Sequence, residues 1–190
     1  MCINQAKPLV TALLQWSILF LTGFSVPSLV CASPLGMESK AIPDAKITAS
    51  SQFDKNHSPQ RARLGTVRSG SKIGAWSAKT NDNGQWIQVD FGKAYKVTRI
   101  VTQGRQDHSQ WVKKYMLEYS NDGVRFSSYD LLSGNRDRNT KVGHILKPSF
   151  IARYVRFYPK DWYRHISMRF ELYGCLTGKV FERSYIFNLK

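Results

Sequence analysis

Apolar side chains in this chain recur at every second position, the period of a strand with one buried face. Gln85-Trp86-Ile87-Gln88-Val89-Asp90-Phe91 sets Ile87, Val89 and Phe91 on one face, and Gly92 closes the segment. Val97 to Val101 forms a second apolar run, stopped at Gly104. Tyr115 to Tyr119 and Val124 to Phe126 flank Asn121-Asp122-Gly123, a hairpin turn because Asp-Gly accepts positive φ. Ile151 to Tyr158 alternates until Pro159 breaks it, and Ile166, Met168, Phe170 and Leu172 then point one way while Arg169 and Glu171 face outward. No stretch after Cys31 sustains a helical period. Short strands at this spacing predict an all-β sandwich or barrel with loops gathered at its ends. Beyond Leu176, the apolar residues Val180, Phe181, Tyr185, Ile186 and Phe187 suit an extra strand or a loose tail equally.

The N-terminus has a different pattern. No charge occurs from Pro8 to Met37, and Leu9 to Val30 is dominated by Leu, Val, Ile, Phe and Trp behind the single charge of Lys7. This reads as a secretory leader, residues 1–28, with an uncleaved membrane anchor as the competing reading. Polar breaks at Gln15, Thr22 and Ser25 and interruptions at Gly23 and Pro27 favour cleavage, near Ser25 or Ser28. Cys2 then leaves with the leader, and Cys31 and Cys175 remain. A lone pair of cysteines in an exported chain is most simply one disulfide.

Composition sharpens the class. At 190 residues the chain suits one domain, and 42% hydrophobic residues with 13% aromatics suit a packed, sheet-rich core. The net charge of +15 favours anionic partners: acidic phospholipid, sulphated glycan, nucleic acid or an acidic protein. Export sets nucleic acid aside. The histidines, His57, His108, His144 and His165, sit in no GxSxG or HExxH frame, no CxxC occurs, and no acid/base carboxylate pair stands out. The expectation is a binding protein with no enzyme activity and no required cofactor.

An ordered series of motifs resembles a known family. Cys31-Ala-Ser-Pro-Leu-Gly-Met-Glu-Ser and Ile42-Pro-Asp-Ala-Lys-Ile-Thr-Ala-Ser-Ser51 open it, followed by Arg61-Ala-Arg-Leu64, Ala75-Trp76 and Gln85-Trp-Ile-Gln-Val-Asp-Phe-Gly92. Thr102-Gln-Gly104, Tyr119-Ser-Asn-Asp-Gly123, Gly134-Asn135, Ala152-Arg-Tyr-Val-Arg-Phe157 and Leu172-Tyr-Gly-Cys175 complete it. The whole span 31–175 is similar to a discoidin domain, also called the coagulation factor V/VIII type C domain. That resemblance implies a distorted jelly-roll β-barrel with a terminal Cys31–Cys175 disulfide, followed by a tail over 176–190. It implies binding through loops at one end, in a family whose members attach to phosphatidylserine membranes, glycans, collagen or cell-surface receptors.

The resemblance also places candidate residues. A first loop runs from about Gln52 to Arg63, where clotting relatives carry exposed tryptophans. Here Phe53 is the comparable apolar residue, either an interfacial anchor or a pin to the core, and Lys55 and His57 stand beside it. Another loop, Gly104 to Trp111, offers Arg105, Asp107 and His108 to a polar ligand, with Trp111 either an anchor for a sugar ring or a packed residue. Trp76 and Trp86 read as core. Lys55, Arg61, Arg63, Arg68, Lys72 and Lys79 form a window without acidic residues that would attract lipid headgroups or sulphated glycans. Arg61 and Arg63 suit either ligand contact or bracing of the loop. Asn135 and Asp137 are weak calcium candidates in a loop that better suits ordinary turn stabilisation. The function expected is a secreted adhesion module for anionic phospholipid or glycan-bearing surfaces, with peripheral membrane contact; the alternatives are a lectin and a protein ligand of collagen or a receptor.

Overall fold

The computed structural model describes residues 31–177. The expected leader and residues 178–190 of the expected tail lie outside them. Among the described residues there are eight antiparallel strands: β1 (Ser33–Pro34), β2 (Ile47–Ala49), β3 (Trp76–Ser77), β4 (Ile87–Gln103), β5 (Trp111–Ser120), β6 (Ser127–Ser133), β7 (Val142–Tyr163) and β8 (Ser167–Leu176). Their main path runs β1-β8-β4-β7-β5-β6, with β2 added to β4 and β3 to β8. The all-β sandwich follows from the alternation: Ile87, Val89, Val97, Ile100, Tyr115, Leu117, Val155, Phe157, Met168, Phe170 and Leu172 all turn into one core around Trp76. Cys31 and Cys175 are bonded, with their Cα atoms 5.0 Å apart, so the first described residue is tied to the last strand. A disulfide of this kind belongs to chains matured in oxidising compartments, consistent with an extracellular location.

The strands depart from the sequence pattern in four places, each with a physical cause. Gly92 bends a strand that continues to Gln103: its φ of 77° is open to glycine, and the β4–β7 register shifts between Asp90 and Tyr95. Pro159 does not end β7, because it lies beside Tyr115, where shifts in the β5–β7 register absorb the missing donor. Val124 to Phe126 is not a strand. The Asp122 carboxylate accepts the Val124 and Arg125 amides at 2.8 Å each, so those amides serve the turn and β6 starts at Ser127.

The fourth departure positions the site. Arg169 and Glu171 do not face solvent: they are 2% and 0% exposed, because loops cover the second face of β8. Glu171 accepts the amides of Met37 (3.1 Å) and Glu38 (2.8 Å). The Arg169 guanidinium donates to the carbonyls of Gly104 (2.7 Å), Thr66 (2.8 Å) and Arg138 (2.8 Å) and to Asn139 Oδ1 (3.0 Å). One side chain thus fixes three loops at one end of the sandwich. Trp76 is core, its indole N–H donating to the Ser51 carbonyl, whereas Trp86 is only half-buried, with the Arg156 guanidinium 4.4 Å from its ring centroid.

Candidate functional site

Three loops meet at the end of the sandwich that Arg169 organises. In the first, Asp54 accepts the Asn56 amide at 2.7 Å and lies 2.5 Å from His57 Nδ1, closing a tight turn. The turn holds the Phe53 backbone to Ser77, N–H to carbonyl, at 2.9 Å, and leaves the Phe53 ring 55% exposed. That ring lies between two imidazoles, with centroids 5.0 Å from His57 and 5.7 Å from His165. Phe53 is therefore at once fixed in place and presented to solvent.

The second loop leaves β4 at Gly104 and returns at Trp111. Arg105 grips Asp107 with Nε (2.9 Å) and Nη2 (3.1 Å), donates from Nη1 to Gln110 Oε1 at 2.9 Å, and has His57 Nε2 3.5 Å from Nη1. His57 thus lies between the Asp54 carboxylate, at Nδ1, and the Arg105 guanidinium, at Nε2. Asp107 also accepts the Gly74 amide at 3.0 Å. Burial pushes the Asp107 carboxyl up, but Arg105 and the Gly74 amide outweigh it and bring it down to about 2. From Gln110 the hydrogen-bond chain continues through Ser167 (3.2 Å) to Ser77 (2.7 Å). Between these groups lies a cavity of about 70 Å³ lined by Phe53, His57, Ser77, Arg105, Gln110 and His165.

The expected residues separate into distinct roles. Phe53, His57 and Arg105 come together at the cavity, and Asp107 holds Arg105 from behind. Lys55 and His108 are exposed nearby in sequence but do not line it. Trp111 is half-buried and stacked on Tyr163 at 4.3 Å, packed at the strand start with its partner 39% exposed. Arg61 donates to the Ile73 and Val67 carbonyls. Arg63 is 4% exposed and donates to the Met37 and Ile42 carbonyls and to Asp44, so it braces the first loop from inside and does not reach a ligand at the tip. Asn135 is buried with its amide on the Thr102 and Thr140 carbonyls, and Asp137 accepts the Asn139 and Thr140 amides at 2.7 Å each. Both side chains shape their own turn, and among the described residues no three His, Cys, Asp or Glu gather as a metal site.

The F5/8 type C domain family matches residues 46–172. The chain belongs to that family. Rat lactadherin is 40% identical to this F5/8 type C domain in a 158-residue alignment that covers 76% of the chain and 36% of lactadherin. Dog coagulation factor VIII is 42% identical over 158 residues, 77% of the chain and 7% of the factor. The chain thus spans about a third or less of these relatives' length, and neither bears an enzyme's name. Among solved structures, discoidin II of Dictyostelium discoideum superposes with a TM-score of 0.65 and 29% identity over 67% of this chain and 53% of its own. A family 32 carbohydrate-binding module from Clostridium perfringens, solved with galactose, reaches 0.56 at 19% identity over 70% of this chain, a likeness of fold.

Ser77, Gln110 and His165 completed the domain's cavity without a signal in their own motifs. The signal lay in pairing. Trp111 pairs with Tyr163, so the turn at Arg164-His165 must reach the same end as the loop 104–111. There His165 Nε2 lies 2.8 Å from the Ala78 carbonyl, and Asn81 holds Arg164 and Ile166 by their backbones.

Proposed function

We propose that this F5/8 type C domain attaches to anionic phospholipid surfaces through the loop end at Phe53, binding without turnover. The observation that carries this reading is the fixed, half-exposed Phe53 ring at the tip of a loop that also bears the exposed Lys55. Fully burying a Phe side chain is worth about 1.5–3 kcal/mol, so a half-exposed ring adds roughly 1–1.5 on entering an interface. Lys55 adds about 1 kcal/mol near an anionic headgroup. These are shallow anchors. The domain therefore gains firm attachment when several copies or several contacts act together.

The cavity beside Phe53 supports a surface role over deep capture of a small molecule. At about 70 Å³ it is well below the roughly 300 Å³ at which ligand pockets begin. Arg105 spends its donors on Asp107 and Gln110, so it acts as scaffold behind the tip.

The test is co-sedimentation of the full chain with phosphatidylserine-containing vesicles against phosphatidylcholine vesicles at two salt concentrations. Binding should require phosphatidylserine and weaken with salt, and Phe53→Ser should weaken it about tenfold without lowering the melting temperature. Equal binding of wild type and Phe53→Ser would sink the reading. Binding abolished by a free monosaccharide yet indifferent to phosphatidylserine would transfer the function to a lectin, and binding only to collagen or a receptor would make the chain a protein ligand.

A further inference from the structure

Separate from the cavity beside Phe53, the segment 37–44 and the segment 58–73 enclose a groove with two lobes. The lobes have volumes of about 330 and 260 Å³ and share Lys40, Arg61, Arg63 and Thr66 in their walls. One opens toward Gly65 and Val67, the other toward Ser58, Gln60 and Lys72. The groove is thus walled by the end of the first loop on one side and by the segment that follows β1 on the other.

Its charge is lopsided. Both carboxylates in the walls are answered: Asp44 by Arg63, and Glu38 by Lys141 at 3.8 Å. Among the described residues, no carboxylate lies within 4.0 Å of a nitrogen of Lys40, Arg61 or Lys72. Arg61 is held by two uncharged acceptors, the Ile73 carbonyl at 2.6 Å and the Val67 carbonyl at 2.5 Å. Its orientation is fixed, it forms no ion pair, the Asp107 carboxylate acts on it only from a distance, and Nη1 has no protein acceptor among the described residues. Lys40 occupies a left-handed backbone conformation, φ 63°, that disfavours side chains other than Gly, Asn or Asp. Such positions concentrate where function holds them.

We propose that this groove binds a sulfated polysaccharide chain. Three cations outside any ion pair, one of them a guanidinium whose Nη1 is left to donate to an oxyanion, recognise sulfate groups along the two lobes. The Ser58 hydroxyl and Gln60 amide meet sugar hydroxyls between them. No aromatic ring lines either lobe, so recognition rests on charge and hydrogen bonding and not on stacking against neutral sugar.

The experiment measures binding of a fluorescent heparin octasaccharide to the full chain by anisotropy. The variant carrying Lys40→Asn and Lys72→Ser should bind about 30-fold more weakly, from about 1 kcal/mol per basic side chain near an anionic partner and 1.4 kcal/mol per tenfold. Asparagine is chosen because it tolerates the left-handed backbone. A charge-matched variant, Lys93→Ser with Lys147→Ser, should match wild type, as should Phe53→Ser. A desulfated octasaccharide should bind wild type at least tenfold more weakly, and phosphatidylserine-vesicle binding of the groove variant should be unchanged. Equal weakening by the charge-matched variant would reduce the effect to net charge. A parallel fall in vesicle binding would make the groove part of a membrane face, and no octasaccharide binding by wild type would remove the site. Each of these three results overturns the proposal, and failure of the Phe53 reading leaves it standing.

Discussion

Replacing Arg169 with Met tests whether one buried guanidinium holds the loop end together. Burial lowers this group, outweighing the nearby Asp107 carboxylate, to about 10, so it is a cation at neutral pH. Met keeps most of the apolar volume and removes every donor. The Gly104 carbonyl then remains buried and unpaired, at a cost of about 1–3 kcal/mol. The Thr66 and Arg138 carbonyls and Asn139 Oδ1 are only partly buried, and water replaces the lost bonds at roughly 0.5–1.5 kcal/mol each. Relief of the buried charge offsets part of this sum, leaving a loss of about 3 kcal/mol. In a domain of this size that lowers Tm by about 6–12 °C. Calorimetry gives the Tm, and amide hydrogen exchange should show faster opening at residues 65–67, 104–107 and 136–140 while β4 and β7 stay protected. Arg169→Lys, with a single ammonium for four acceptors, should fall between the two. A Met variant within about 2 °C of wild type and with unchanged exchange in those loops would refute the hub.

Three further outcomes follow from the same structure. Replacing Cys31 and Cys175 by Ser releases a covalent loop with a sequence separation of 144 residues and should cost about 4–5 kcal/mol in urea unfolding. Gly174→Ala would place a Cβ 1.9 Å from the Lys96 carbonyl oxygen, between paired strands β8 and β4 that cannot part, so the variant should fail to give soluble folded protein. The Asp107 carboxylate, brought from its ordinary 3.8 to about 2, contributes stability that is full above about pH 4 and fades as pH falls toward 2. In acid titration followed by circular dichroism, Asp107→Asn should flatten that part of the profile.

Period-two alternation located β4, β5, β7 and β8, because each buries one face against a single core. It could not show that Gly92 and Pro159 are bends within long strands, since a turn residue reads the same whether a strand stops or only kinks. Nor could it place Arg169 and Glu171, whose side of β8 would be solvent in an isolated sandwich and is buried here by loops distant in sequence. The site divides the same way. Phe53, His57 and Arg105 were legible because two loops carry them in compact motifs, whereas Ser77, Gln110 and His165 join them only through strand pairing.

The basic window shows what composition alone leaves open. Its six cations read as one rim, yet the fold puts four of them in three different settings. Arg63 goes inside to brace the first loop, Lys55 stands near the tip, and Arg61 and Lys72 turn into the lateral groove, where they meet Lys40 from outside the window. Attraction of an anion depends on charge left uncompensated at one place, not on the count of basic residues. By that measure the groove, with three cations outside any ion pair, is the stronger electrostatic feature, and the tip, with Lys55 beside an exposed ring, is the more apolar one. Two surfaces of different chemistry on one small domain would let it hold a polyanion and touch a lipid face together. Because linked contacts raise the effective concentration of the second partner, each contact can be weak while the joint attachment is firm.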